Sequence, residues 1–253
     1  MEPERPHVAL MVTCLVDMMR PSIGFASVKL LEEAGCRVSV PRQSCCGQPN
    51  LNGGDRDGAR AMARQMIEAL EGHDHVVVPS GSCAGTLIKD YPRLFEDDPE
   101  WHDRAGALAA RTHEIIAFLV DVMGFSGIES RLPSRITYHD SCSSLRTLGI
   151  REQPRQLLGH VDGLELAELR EPEVCCGFGG TFCVKYPEIS NRMVSDKAAD
   201  VAATGAELVL GGDLGCLLNL AGRLTREGHP IRARHVVEVL AGQMETPPIG
   251  GDK

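Results

Sequence analysis

The sequence predicts an α/β fold made of two similar parallel-sheet halves that arose by internal duplication. Two observations carry this expectation. The first is a repeated cysteine register. Cys14 is followed after 30 residues by the doublet Cys45-Cys46, and after 36 more by Cys83. Cys142 is followed after 32 residues by Cys175-Cys176, and after 39 more by Cys216. Corresponding cysteines lie 128, 130 and 133 positions apart, about half of the 253-residue chain, which is the mark of an internal repeat. The second observation is the order of elements. Short apolar runs alternate with segments of helical periodicity, and glycines follow the runs, as in parallel strands joined by crossover helices. Two Rossmann-like units related by a pseudo-twofold axis follow, residues 1–131 and 132–253, with the boundary in "IESRLPSR" (128–135).

The first half opens with "HVALMVTC" (7–14), a buried strand ending at a cysteine. A helix spans about 22–34, closed by Gly35, and "RVSVP" is the next strand. After Cys45-Cys46-Gly47 a second helix covers about 55–70, with Met62, Met66, Ile67 and Leu70 at helical spacing. "HVVVPSGSC" (75–83) is a strand ending near a cysteine, and "AGTLIKDY" starts a helix. The polar, proline-broken segment 91–105 reads as a surface excursion leading into a helix over 105–122.

The second half replays this order. "RITYHDSC" (135–142) is its first strand, with a helix in part of 143–158. "LELAEL" is the next strand, followed by Cys175-Cys176-Gly177. Pro187 sits at the start of a long helix, a position that suits proline. "AELVLGGDLGC" (206–216) is the third strand, 217–226 is helical, and "PIRARHVVEVLAG" adds a strand and a closing helix. The tail "GQMETPPIGGDK" reads as disordered.

Composition narrows the function classes. The formal net charge of −9 offers nothing to neutralise a phosphate backbone, so nucleic acid is not an expected partner. The apolar stretch at 8–19 is short and carries Asp17, so neither a signal peptide nor a membrane span is expected. A cytoplasmic location follows, where thiols stay reduced. Ten cysteines then point to metal or redox chemistry, not to a disulfide framework.

Parallel sheets gather their crevices at strand C-termini, so each half should bring four thiols to one place. The candidate ligands are Cys14, Cys45, Cys46 and Cys83 in the first half and Cys142, Cys175, Cys176 and Cys216 in the second. Adjacent cysteines can bind different atoms of a polynuclear cluster, and Gly47 and Gly177 let the backbone bend around something compact. An iron–sulfur cluster uses four such thiolates. Zinc, in one site or both, is the alternative occupant, although its cysteines usually come as close pairs. Packing as small apolar side chains accounts for one buried cysteine, not for eight in a duplicated register. Cys36 and Cys183 lie outside the register and read as packed thiols. His139 and Asp140 stand beside Cys142, where an imidazole can relay protons or donate to a cluster sulfur. "GFGG" and "NGG" fit no phosphate-binding pattern, and no Ser-His-Asp or paired-carboxylate arrangement stands out.

These spacings resemble the cysteine-rich CCG domain, duplicated as in the catalytic subunit of heterodisulfide reductase. "CCGFGGTFCVKYPEIS" and "DLGCLLNLAGRLTREGHPIRARHVVEVLA" are similar to the lactate-utilisation protein A family, and the resemblance runs from Val8 to Leu240. It implies an iron–sulfur electron-transfer subunit of a multi-subunit L-lactate oxidation complex, with a [4Fe–4S] cluster in each half. It also implies companion subunits, a larger iron–sulfur protein and a small one. Heterodisulfide reductase ends each motif in C-x-x-C. Here the first of those positions is Ser80 in "SGSC" and Asp213 in "DLGC", each expected to cap the following helix. Four cysteines suffice for a cubane and fall one short of the noncubane form. A thiol/disulfide redox subunit and a zinc-stapled interaction protein are the alternative readings, and whether the chain is itself an enzyme stays open.

Overall fold

A computed structural model describes residues 5–250. The chain forms two units, residues 1–125 and 126–253, each with its own sheet. In the first, β1 (His7–Leu10) leads through α1 (Cys14–Met19) and α2 (Ser22–Glu33) to β2 (Arg37–Ser39). Next come α3 (Gln48–Gly53), α4 (Arg56–Leu70) and β3 (His75–Val78), then α5 (Gly81–Gly85), a π-helical turn, α6 (Tyr91–Leu94) and α7 (Pro99–Ala110). β4 (Thr112–Glu114), α8 (Ile115–Ala117) and a second π-helical turn close the unit.

The second unit repeats the plan. β5 (Arg131–His139), a π-helical turn, α9 (Glu152–Leu158) and β6 (Asp162–Leu166) are followed by α10 (Phe182–Lys185) and α11 (Pro187–Ala203). β7 (Leu208–Gly211), α12 (Leu214–Arg226), β8 (Arg232–His235) and α13 (Val236–Leu240) complete it. The strand orders are β2-β1-β3-β4 and β6-β5-β7-β8, and every pairing between these strands is parallel. The predicted class and the likeness of the two halves are therefore both observed.

Each sheet buries its central strands between helices, which explains why β1, β3 and β7 read as continuous apolar runs. Val8, Ala9, Leu10, Val76, Val77 and Val78 are buried in the first sheet. Helices α4 and α11 turn matching faces inward: Ala59, Ala63, Met66, Ile67 and Leu70 in one, Ser190, Val194, Lys197, Ala198 and Val201 in the other.

Three expectations need correcting. The helix predicted over 105–122 is interrupted by β4, an edge strand pairing with β3. Thr112 Oγ1 donates back to the Leu108 carbonyl, and Glu114 Oε2 accepts from the amides of Ile116 and Ala117, so one helix ends and another begins within a few residues. The polar excursion at 91–105 hides an apolar anchor: Tyr91, Leu94 and Phe95 are buried and Phe95 faces Trp101. The tail is not structureless as far as Gly250, because Ile249 pairs antiparallel with Ala233 through mutual backbone hydrogen bonds of 3.2 and 2.7 Å.

Candidate metal centres

In each sheet the strand order reverses direction between its first and third strands, β1/β3 and β5/β7, the switch point where open α/β sheets form their crevice. Cys14 stands at the start of α1 just beyond β1, and Cys83 in α5 just beyond β3. The second unit places Cys142 beyond β5 and Cys216 in α12 beyond β7. Each doublet lies on the loop after the edge strand, directly ahead of a glycine in the left-handed region, Gly47 at φ 80° and Gly177 at φ 78°. A Cβ on Gly177 would come within 2.8 Å of the Ser190 carbonyl, and one on Gly47 within 3.3 Å of Met62. Only glycine fits either turn without displacing the helix behind it.

The eight predicted thiols converge as two sets of four. In the first unit Cys14, Cys45, Cys46 and Cys83 form a chain of sulfur contacts, with Cys46 and Cys83 Sγ 3.5 Å apart. In the second, Cys142 meets Cys175, Cys175 meets Cys176, and Cys176 meets Cys216. None is in a disulfide. The Cys14 and Cys46 thiols donate to the Cys45 sulfur and hold its pKa far down, while the same bond holds Cys14 up. In the second unit the hydrogen bond to Cys175 pushes Cys142 up. The fold brings the four thiols of each unit close enough to share protons, and a thiophilic metal group would take the place of those protons. The thiols fit an iron–sulfur cluster: four sulfurs per unit, on a turn that glycine lets bend around it.

Structure adds residues that the sequence reading passed over. Tyr91 Oη donates to the Cys46 carbonyl at 2.9 Å, and Asn219 Nδ2 donates to the Cys176 carbonyl at 2.8 Å. Each ties the doublet to the helical region that follows the third cysteine site, by unrelated chemistry, so no repeated motif marks them. Ser190 Oγ donates to the Gly177 carbonyl at 2.8 Å, and the Gly177 amide donates to Cys175 Sγ at 3.4 Å. Thr13 is the one non-glycine among the described residues with positive φ, at 75°, immediately before Cys14. Backbone strain of that kind gathers at functional positions.

Ser80 caps α5 as expected, its hydroxyl accepting from the Cys83 amide at 3.4 Å. Asp213 occupies the N-cap of α12, but its side chain makes no capping bond, so the expected role is not met there. Asp140 is buried and clasped by Arg155 at 2.8 and 2.9 Å, and Arg155 also grips Glu168. Cys183 lies on α10, its thiol directed to the Gly180 carbonyl, and Cys36 faces Met123 in the first unit. Neither belongs to a quartet. His139 does approach one: its ring nitrogen and the sulfurs of Cys176 and Cys216 lie within 4.8 Å of one another.

Residues 8–88 and 136–221 each match the CCG cysteine-rich domain, and these two stretches contain both quartets. The lactate utilization protein A of Exiguobacterium is 48% identical over 238 residues, covering 93% of this chain and 97% of that protein. The chain belongs to the lactate utilization protein A family. A second relative, from Bacillus subtilis, is 47% identical over 92% of this chain and 98% of its own length. A hypothetical protein from Helicobacter pylori has the same fold at a TM-score of 0.61 and 9% identity, over 96% of this chain and 50% of the other.

Proposed function

We propose that this family member is an iron–sulfur electron-transfer subunit in lactate utilisation, with one [4Fe–4S] cluster held by each quartet. The observation that carries the reading is the same four-thiol crevice built twice at a sheet switch point. The lactate assignment rests on the names of the relatives. A cluster bound there would take up and release one electron at a time. The chain's own groups have defined tasks. Cys14, Cys45, Cys46 and Cys83 give up their protons to bind one cluster, and Cys142, Cys175, Cys176 and Cys216 the other. The doublet glycines bring backbone amides to the sulfurs, and Tyr91 and Asn219 fix the doublet carbonyls. Four thiolates match a cubane, since Ser80 and Asp213 occupy the position of a fifth cysteine.

The proposed surroundings are the cytoplasm and a complex with a larger iron–sulfur subunit and a small one. Among the described residues no helix is long and apolar enough to cross a membrane. Zinc is a second reading for the second unit, because His139 with Cys176 and Cys216 makes a mixed nitrogen–sulfur set. Metal analysis of anaerobically purified protein separates the two. Brown protein with iron and acid-labile sulfide is expected, and Cys45→Ser or Cys175→Ser should each remove about half of both. Colourless protein carrying stoichiometric zinc would overturn the cluster reading.

A further inference from the structure

The two crevices repeat each other in thiols but not in what surrounds the thiols. Strand register makes the comparison residue by residue. Val8 pairs with His75 in the first sheet as Ile136 pairs with Leu208 in the second, and Leu10 with Val77 as Tyr138 with Leu210. The next residue is Met11 in one unit and His139 in the other. Helices α4 and α11 superimpose through their buried positions, which puts Met66 of the first opposite Lys197 of the second. All four side chains are at most 1% exposed. Two methionines therefore hold, in the first unit, the positions that a histidine and a lysine hold in the second.

The polar pair is not idle packing. Both ring nitrogens of His139 are buried without a hydrogen-bond partner, a costly state unless a group in the crevice receives the N–H. The ring nitrogen faces Cys176 and Cys216. Lys197 Nζ donates to the Glu171 and Pro172 carbonyls at 2.5 and 3.4 Å and lies 3.8 Å from Asp200. Burial pushes its pKa down, and the nearby Asp200 and Asp140 carboxylates and the Cys176 and Cys175 sulfurs oppose that shift. The Arg146 guanidinium faces the Cys142 sulfur as well. Against them stand the Asp213 carboxylate beside Cys216 and the deeper burial of that thiol. The Asp140 carboxylate is already engaged by Arg155. Cations and N–H donors near a cluster favour the state with one more electron, because the added negative charge lowers its energy beside them. Lys197 offsets Asp200 as Arg155 offsets Asp140, and Arg146 stands against Asp213. What tips the balance is the buried His139 ring aimed at the sulfurs, whose effect Lys197 preserves by cancelling Asp200, whereas the first unit offers apolar methionines at both positions.

We infer that the two centres form an ordered pair in which the second-unit centre has the higher reduction potential, set by His139 and Lys197. The inference rests on the cluster reading above. On stepwise reduction the centre held by Cys142, Cys175, Cys176 and Cys216 takes up its electron first. At an effective permittivity of about 20, a unit charge within ~12 Å changes such a ratio about tenfold.

The test is redox titration of the full chain followed by electron paramagnetic resonance, with each signal assigned through Cys45→Ser and Cys175→Ser. Two separate midpoints are expected, the higher one lost in Cys175→Ser. His139→Met and Lys197→Met copy residues that the first unit already tolerates. Each should lower the second midpoint at constant iron and sulfide content, by about 59 mV for every tenfold change in the one-electron ratio. Lys197→Arg should hold it near the wild-type value. Coincident midpoints, a higher first centre, or variants that leave the second midpoint unmoved would overturn the ordering. Failure to find iron and sulfide would remove the cluster reading instead, and the metal analysis reports that separately.

Discussion

At the residue scale, the glycine after each doublet is under stricter demand than its cysteines reveal. Gly177 needs φ 78° and leaves only 2.8 Å between an added Cβ and the Ser190 carbonyl, an atom of helix backbone that cannot step aside. Gly47 needs φ 80°, but its nearest neighbour would be the Met62 Cβ at 3.3 Å. Gly177→Ala should therefore cost more than Gly47→Ala, with the former losing on the order of 2–3 kcal/mol and the latter about 1. Urea unfolding of both variants measures the difference, and equal losses would mean the second turn relaxes freely. The cysteines and these glycines were legible in the sequence because the repeat displays them twice. Tyr91 and Asn219 were not, since each serves a backbone carbonyl 45 or 43 positions away, and only the fold brings such pairs together. Lys197 reads in sequence as one more polar residue of an amphipathic helix. Its meaning comes from the buried face of α11.

At the element scale, what could be read followed from periodicity, and what could not followed from side chains that rewrite the backbone. β1, β3, β7, α4 and α11 announce themselves by runs and spacing. In sequence β4 reads as part of a helix because the alanine-rich residues 105–110 lead straight into it. Glu114 is the residue that decides otherwise, buried and accepting from two amides at 2.8 and 3.1 Å to start α8. His235 does the same work after β8, where it caps α13 in a reciprocal arrangement with Glu238. Thus the fourth strand of each sheet ends in a side-chain cap, by different residues, so the repeat does not expose it. Glu114→Ala should destabilise the protein by about 1–2 kcal/mol, the usual cost of losing a helix cap. Glu114→Gln, which keeps an acceptor oxygen, should recover part of it. Thermal unfolding distinguishes this from a passive edge, for which the two substitutions would cost the same.

At the scale of the whole molecule, duplication supplies two similar crevices and later divergence supplies the difference between them. An electron conduit needs both properties. Oxidising a 2-hydroxy acid, however, removes two electrons together, usually as a hydride delivered to an organic acceptor, whereas clusters of this kind handle electrons singly. The sequence has neither the G-x-G-x-x-G nor the P-loop pattern; "GFGG" forms the turn behind the second doublet, and "NGG" closes α3. The purified chain with both quartets loaded should therefore reduce and reoxidise in electron titrations yet turn over L-lactate with artificial dyes at no more than background rate. Adding the companion subunits should bring lactate-dependent reduction of the dye. In that mixture Cys46→Ser and Cys176→Ser should each cut the rate at least about tenfold if the proposed centres carry the electrons, because each substitution removes a proposed ligand. Sustained lactate oxidation by the chain alone would place the two-electron chemistry within it, and the role of conduit would have to be given up.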